Sequence, residues 1–305
     1  MPDLSPDLLS HFQDLIYRQC SLLFSPSRQI GLEMRLRERL NNLELPSYEA
    51  YFHLLQNDFD EFDLLIEGIT TKETYFFRLP DQFKALTKHI LPRIEDRLSK
   101  ETQRLIAEEG WSGAKKMPIR VWSAGCATGE EAYSIAITLM EGLKYPKAWR
   151  TEILATDISR EALTRARIGF YETSVIKNIP SHYQRKYMRI CNGGAVMRDA
   201  ILQRMDFRIF NLRHLDVYKG GPCPFIDLDG TRERLDLSEL FDMIFCRNVM
   251  IYFDFTAQQQ LVDNLYGCLK PGGYLFTGDA ELLRIYKHHF KTLEYEGAYF
   301  YQKPN

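Results

Sequence analysis

From residue 119 onward the chain alternates short apolar runs with helical stretches, and few folds accept that order. The runs are "IRVWSA" (119–124), "TEILATD" (151–157), "DMIFCRN" (242–248) and "GGYLFTGD" (272–279). Helical spacing fills 130–142, 159–167 and 256–269. Strands separated by helices imply a mostly parallel sheet with helices on both faces. Ligands on such sheets bind outside the carboxyl ends of the strands. The chemistry is therefore expected at those ends.

The first 95 residues carry no strand-like alternation. "SPDLLSHFQDLIYRQCSLLF" offers Ser5 as an N-cap and Pro6 at the first helical position, and three further helical stretches follow. The expected organisation is a helical N-terminal domain over 1–95, a linker over 96–118, and an α/β domain over 119–305. An irregular stretch at about 180–210 reads as a small insertion with antiparallel strands. A net charge of -2 gives no broad attraction to nucleic acid or anionic lipid. There is no 18-residue apolar run and no leader pattern, so a cytoplasmic protein with no membrane insertion is expected. The six cysteines include no Cys-x-x-Cys pair, which suits reduced thiols and points to no metal site.

"VWSAGCATGEEAYSIAITLM" (121–140) runs from a strand through Gly125 and Gly129 into an acidic helix start. The glycines let the backbone turn tightly and approach a ligand. Asp157, at the end of the next strand, is placed to accept both hydroxyls of a ribose. A dinucleotide site would leave the helix N-terminus free for pyrophosphate. Here Glu130 and Glu131 occupy it, and they would repel a phosphate. A nucleoside bearing a cation fits better, and S-adenosylmethionine is one. The alternative, that both glutamates only favour the helix dipole, stays open at this point.

"LKPGGYL" (269–275) resembles a motif of Rossmann-like methyltransferases. "TTKETYFFR" (70–78), "WSAGCATGEEAYSIAI", "ATDIS" and "FCRNVMIYFD" (245–254) resemble, in order, the chemotaxis-receptor glutamate O-methyltransferases, the CheR family. The resemblance covers nearly the whole chain. It implies a class I methyltransferase sheet with a small β insertion, preceded by an all-α domain. It also implies S-adenosylmethionine as cofactor, S-adenosylhomocysteine as product, and glutamyl methyl esters on methyl-accepting receptors.

Carried over by motif, Thr74 and Arg78 reach the cofactor and the reaction centre. Ala124, Gly125 and Glu131 line the methionine part, with Glu131 rather than Glu130 meeting its cationic end. Asp157 holds the ribose, Asn211 and Leu212 flank the adenine, Arg247 and Asn248 close the pocket, and Tyr252 lies beside the transferred methyl. A glutamate acceptor, with a pKa of about 4.3, is already ionised at neutral pH, so no general base is needed. The enzyme's task is placement, which can contribute roughly 7–11 kcal/mol. Arg78 is expected to orient the acceptor carboxylate or a neighbouring group. The seven histidines are expected to be surface or structural residues.

The receptors' acidic helical bundle is expected to dock on a basic helix at Arg35 and Arg39 of "EMRLRERL", or that stretch is simply a solvated face. Departures from the family pattern are Lys72 in place of asparagine, Ala132 in place of proline and "GDAE" (278–281) in place of Gly-His-Ser-Glu. The short "ICNGGAV" loop implies no tethering to a receptor pentapeptide. The segment 216–240 has no assigned role, and a monomer is expected. Two alternatives remain: the same chemistry on a receptor of another pathway, and a catalytically silent binding or scaffold module.

Overall fold

The computed structural model describes residues 3–109, 117–217 and 222–305. Four helices open the chain: α1 (Pro6–Cys20), α2 (Pro26–Asn42), α3 (Tyr48–Leu55) and α4 (Phe59–Ile69). Ser5 caps α1 by accepting from the Leu8 amide, and Pro6 takes the first helical position, where no amide donor is needed. Phe12, Ile16, Leu32, Leu36, Tyr51 and Leu65 fill the core of this bundle, against which Ile158 of the α/β half also packs.

The next helices belong elsewhere. After α5 (Pro80–Ala85) and a π-helical turn (Leu86–Ile90) comes α6 (Leu91–Glu109). Their apolar residues Phe83, Leu86, Ile90, Leu91 and Ile94 pack with sheet residues Val121, Met243 and Phe276. The helical domain expected over 1–95 therefore ends after α4. Helical spacing reveals an apolar face but not which core covers it. The linker expected over 96–118 is likewise corrected, since it begins inside α6; residues 110–116 lie outside the described residues.

Among the described residues twelve strands follow: β1 (Pro118–Ala124), β2 (Arg150–Asp157), β3 (Phe170–Glu172), β4 (Met188–Cys191), β5 (Gly194–Met197), β6 (Met205–Ile209), β7 (Cys223–Asp227), β8 (Arg232–Leu235), β9 (Phe241–Cys246), β10 (Leu269–Thr277), β11 (Lys291–Tyr295) and β12 (Ala298–Gln302). The main sheet has the order β11-β12-β10-β9-β1-β2-β6-β7-β8. Its five central strands are parallel, and antiparallel hairpins extend both edges. The chain turns from β2 on one side of β1 to β9 on the other, so the strand order reverses at β1, where such sheets bind ligands. α7 (Glu130–Gly142) and α8 (Arg160–Ile168) follow β1 and β2. The helix Phe255–Cys268 precedes β10 and packs its Leu261, Val262 and Leu265 on the opposite face.

The insertion is a three-stranded sheet in the order β3-β5-β4, over 170–197. The expected span of about 180–210 is corrected at both ends, because β6 runs parallel to β2 in the main sheet. Within 216–240, the β7–β8 hairpin extends that sheet antiparallel to β6. Residues 218–221 lie outside the described residues.

Candidate active site

A cavity of about 390 Å³ opens at the carboxyl ends of β1 and β2, within the size range of small-molecule sites. The sheet rim forms one wall. Residues of the helical bundle and its connections form the other, among them Leu23, Arg28, Thr74 and Arg78. The two halves are stitched beside it. Leu22 and Phe253 form an antiparallel bridge, the Leu23 amide donates to the Tyr252 carbonyl (3.0 Å), and Asn211 Nδ2 donates to the Gln19 carbonyl (2.9 Å).

The turn after β1 is set by Gly125, with φ +85°. A Cβ there would lie 2.4 Å from Val249 Cγ2, so only glycine fits both the backbone and the contact. Asp157 braces the same turn: Oδ2 accepts from the Ala127 amide and Oδ1 from the Ser159 amide, each at 2.9 Å. Each oxygen thereby keeps lone-pair capacity for a further donor. Burial raises the Asp157 pKa, against the lowering effect of these amides and of Lys72.

Glu131 lines the cavity but is not a free carboxylate. Its Oε2 is 2.7 Å from Arg247 Nε, and its Oε1 accepts from Ser123 Oγ at 2.6 Å. Arg247 also donates to the Arg78 carbonyl (2.7 Å) and to Gln82 Oε1 (3.1 Å), which completes a buried polar knot. A ligand cation meeting Glu131 would therefore meet a carboxylate whose charge Arg247 already balances. Glu130 stays out of the cavity lining; it is buried and accepts from Thr128 Oγ1 (2.7 Å).

The segment carrying Arg78 is backed by the Phe77 amide donating to Ser134 Oγ (2.9 Å) on α7. Phe77 and Leu79, on either side of Arg78, both have left-handed backbone, φ +56° and +60°, a strained conformation for bulky residues. Asn248 is a third such residue, with φ +61°. Its amide donates to Glu281 Oε2 (2.6 Å), while its buried Oδ1 has no hydrogen-bond partner. Buried polar atoms are normally paired, so this oxygen stands without the partner such an atom usually has.

Thr74, Arg78, Gly125, Glu131, Asp157, Asn211, Leu212, Arg247, Asn248 and Tyr252 all line the one cavity. Ala124 does not. It is fully buried in the core on the other face of the sheet, with Trp122 and Ile244, because alternation along β1 turns its side chain away. Asn211 spends its side chain locally, accepting from the Arg213 amide (3.0 Å) as well as holding Gln19. Among the described residues, no histidine lines the cavity.

The docking pair Arg35 and Arg39 also needs correction. Arg39 forms a two-pronged pair with Glu61, whose Oε1 also accepts from Tyr51. Arg35 lies across Gly68 and donates to the Leu64 carbonyl (3.1 Å). They do share a face of α2, but that face is packed against α4. Lys72 pairs with Glu161 on α8 (2.6 Å) outside the cavity lining. Arg28 and Glu281 went unremarked in the sequence. No spacing or motif marks the first, and the second stands in the departing "GDAE".

The comparisons with known proteins decide the family. The all-alpha domain of the CheR methyltransferases matches residues 7–70, and their SAM binding domain matches 72–220 and 223–298. The chain belongs to the CheR methyltransferase family. A chemotaxis protein methyltransferase of Borreliella burgdorferi is 32% identical over 304 residues, covering 99% of this chain and 95% of that one. Another, of Escherichia coli, is 33% identical over 304 residues, covering 96% and 91%. The fold is that of a class I methyltransferase behind an all-α domain, the activity is methyl transfer, and the cofactor is S-adenosylmethionine. The cavity suits that cofactor: it offers a carboxylate with spare lone pairs, an unpaired buried amide oxygen, and a glycine turn that lets a ligand approach closely.

Proposed function

We propose that this CheR methyltransferase esterifies glutamate side chains on the cytoplasmic helical bundle of methyl-accepting chemotaxis receptors. The observation that carries the reading is the convergence of Arg78, Asp157, Asn248 and Tyr252 on one cavity walled by both halves of the molecule. That the relatives in B. burgdorferi and E. coli are chemotaxis protein methyltransferases supports the choice of acceptor.

Bound S-adenosylmethionine supplies an activated methyl group. Asp157 takes the ribose hydroxyls on its remaining lone pairs. Asn248 Oδ1 accepts from a cofactor donor. Leu212 offers apolar surface to the base, and Asn211 holds the adjoining wall in place. Glu131 acts with Arg247 as a neutral pair that shapes the methionine end. Arg78 and Tyr252 face the reacting groups. The acceptor is ionised before it arrives, so the site needs orientation and dryness rather than a base.

The test is transfer of labelled methyl from the cofactor to a purified receptor fragment, with the label released as methanol by mild base. Label that is not base-labile, or does not map to glutamates, would overturn the reading. Arg78→Ala should lower turnover at least about tenfold while binding of S-adenosylhomocysteine persists.

A further inference from the structure

The Arg28 guanidinium, in the cavity wall supplied by α2, lies 4.0 Å from the centre of the Tyr252 ring. Its Nη1 donates to the Leu23 carbonyl at 3.3 Å. Among the described residues, no carboxylate forms an ion pair with it. Arg247 is balanced by Glu131, and Arg78 turns toward the Glu73 carbonyl (3.2 Å) and the Tyr75 ring. Arg28 is half-buried, and burial lowers its pKa, with Tyr252 acting the other way. Its remaining guanidinium donors are open to an anion that enters the cavity. The place Arg28 guards is the face of Tyr252.

We propose that Arg28 binds the acceptor's carboxylate beside Tyr252, so that the site selects an ionised side chain over the corresponding amide. The inference rests on the proposed glutamate chemistry and adds the group that recognises it. A guanidinium fork matches a carboxylate through two parallel hydrogen bonds, which an amide cannot accept. Arg78 is then left to a neighbouring group. Methylation removes the acceptor's charge, so the pairing is strongest before reaction. Its loss should appear in KM rather than in kcat.

Arg28→Gln and Arg28→Lys, compared with the wild-type full chain, test this on a receptor fragment. For Arg28→Gln, KM for the fragment is expected to rise about tenfold, with kcat changing little. Affinity for S-adenosylhomocysteine, by calorimetry, should stay at the wild-type value, which also reports an intact fold. Arg28→Lys should restore part of the KM. An unchanged KM, a loss confined to kcat, or a parallel fall in S-adenosylhomocysteine affinity would overturn the assignment while leaving the glutamate chemistry standing. Absence of base-labile transfer by the wild type would instead sink the chemistry, and this inference with it.

Discussion

Glu131 and Arg247 stand 116 residues apart in the chain and meet at 2.7 Å, both side chains almost fully buried. Breaking a buried pair from one side leaves an uncompensated charge. Arg247→Ala should therefore cost about 3–5 kcal/mol, read from urea unfolding. Adding Glu131→Gln should recover part of that loss; a double variant no better than the single one would mean the charge is not the cause. Asp157 carries a second residue-scale prediction. Burial raises its pKa, and under the proposed ribose contact only the ionised form would accept both hydroxyls. Affinity for S-adenosylhomocysteine should be complete above that raised pKa and fall as pH drops through it, starting above the usual Asp value of about 3.9. Asp157→Asn should bind more weakly, with that part of the pH profile flattened. The place of Asp157 in the cavity wall was legible because a strand-end acid beside a glycine turn stands at the carboxyl rim of the sheet. The engagement of Glu131 was not, because no local pattern announces a partner on a distant strand.

At the scale of elements, Glu281 clamps two turns together. Its carboxylate accepts from the amides of Asn248 (2.6 Å), Gly278 (2.8 Å) and Ile251 (3.3 Å), joining the end of β10 to the stretch that carries Asn248 and Tyr252. In "GDAE" the clamp is the glutamate, and Asp279 and Ala280 before it are exposed. Glu281→Ala strands buried amides at about 1–3 kcal/mol each and releases the left-handed backbone of Asn248. Turnover should fall at least about tenfold, and the melting temperature with it. A melting shift without loss of activity would make Glu281 a purely structural clamp. Four of the five central strands were legible from runs of buried apolar residues between helical stretches, while β6 fell within the stretch read as the insertion. The β7–β8 hairpin was not legible, because charged Arg232, Glu233 and Arg234 mask a strand that lies at the sheet's edge, where charges guard against further pairing. The extent of the bundle was misjudged for a related reason: α5 and α6 look like its helices but bury their apolar faces on the sheet.

The whole molecule has a bundle core and sheet cores that do not share residues, yet the two halves wall a single cavity. Their seam is largely polar: Tyr17 with Asp254, Asn211 with Gln19, Lys72 with Glu161. Exposed pairs of this kind hold weakly, so each half should open locally with some independence. A ligand that binds only the closed arrangement stabilises it by mass action, by about 2.7 kcal/mol at a hundredfold excess over Kd. S-adenosylhomocysteine should therefore slow hydrogen exchange at the sheet rim and also in residues 20–32 of the bundle, which contact the cavity without belonging to the sheet's cores. Asn211→Ala, which removes the Gln19 contact, should reduce protection in the bundle more than at the rim. Protection confined to the rim in the wild-type complex would mean that the bundle borders the cavity without closing over the cofactor, and its contribution would then be to the acceptor alone.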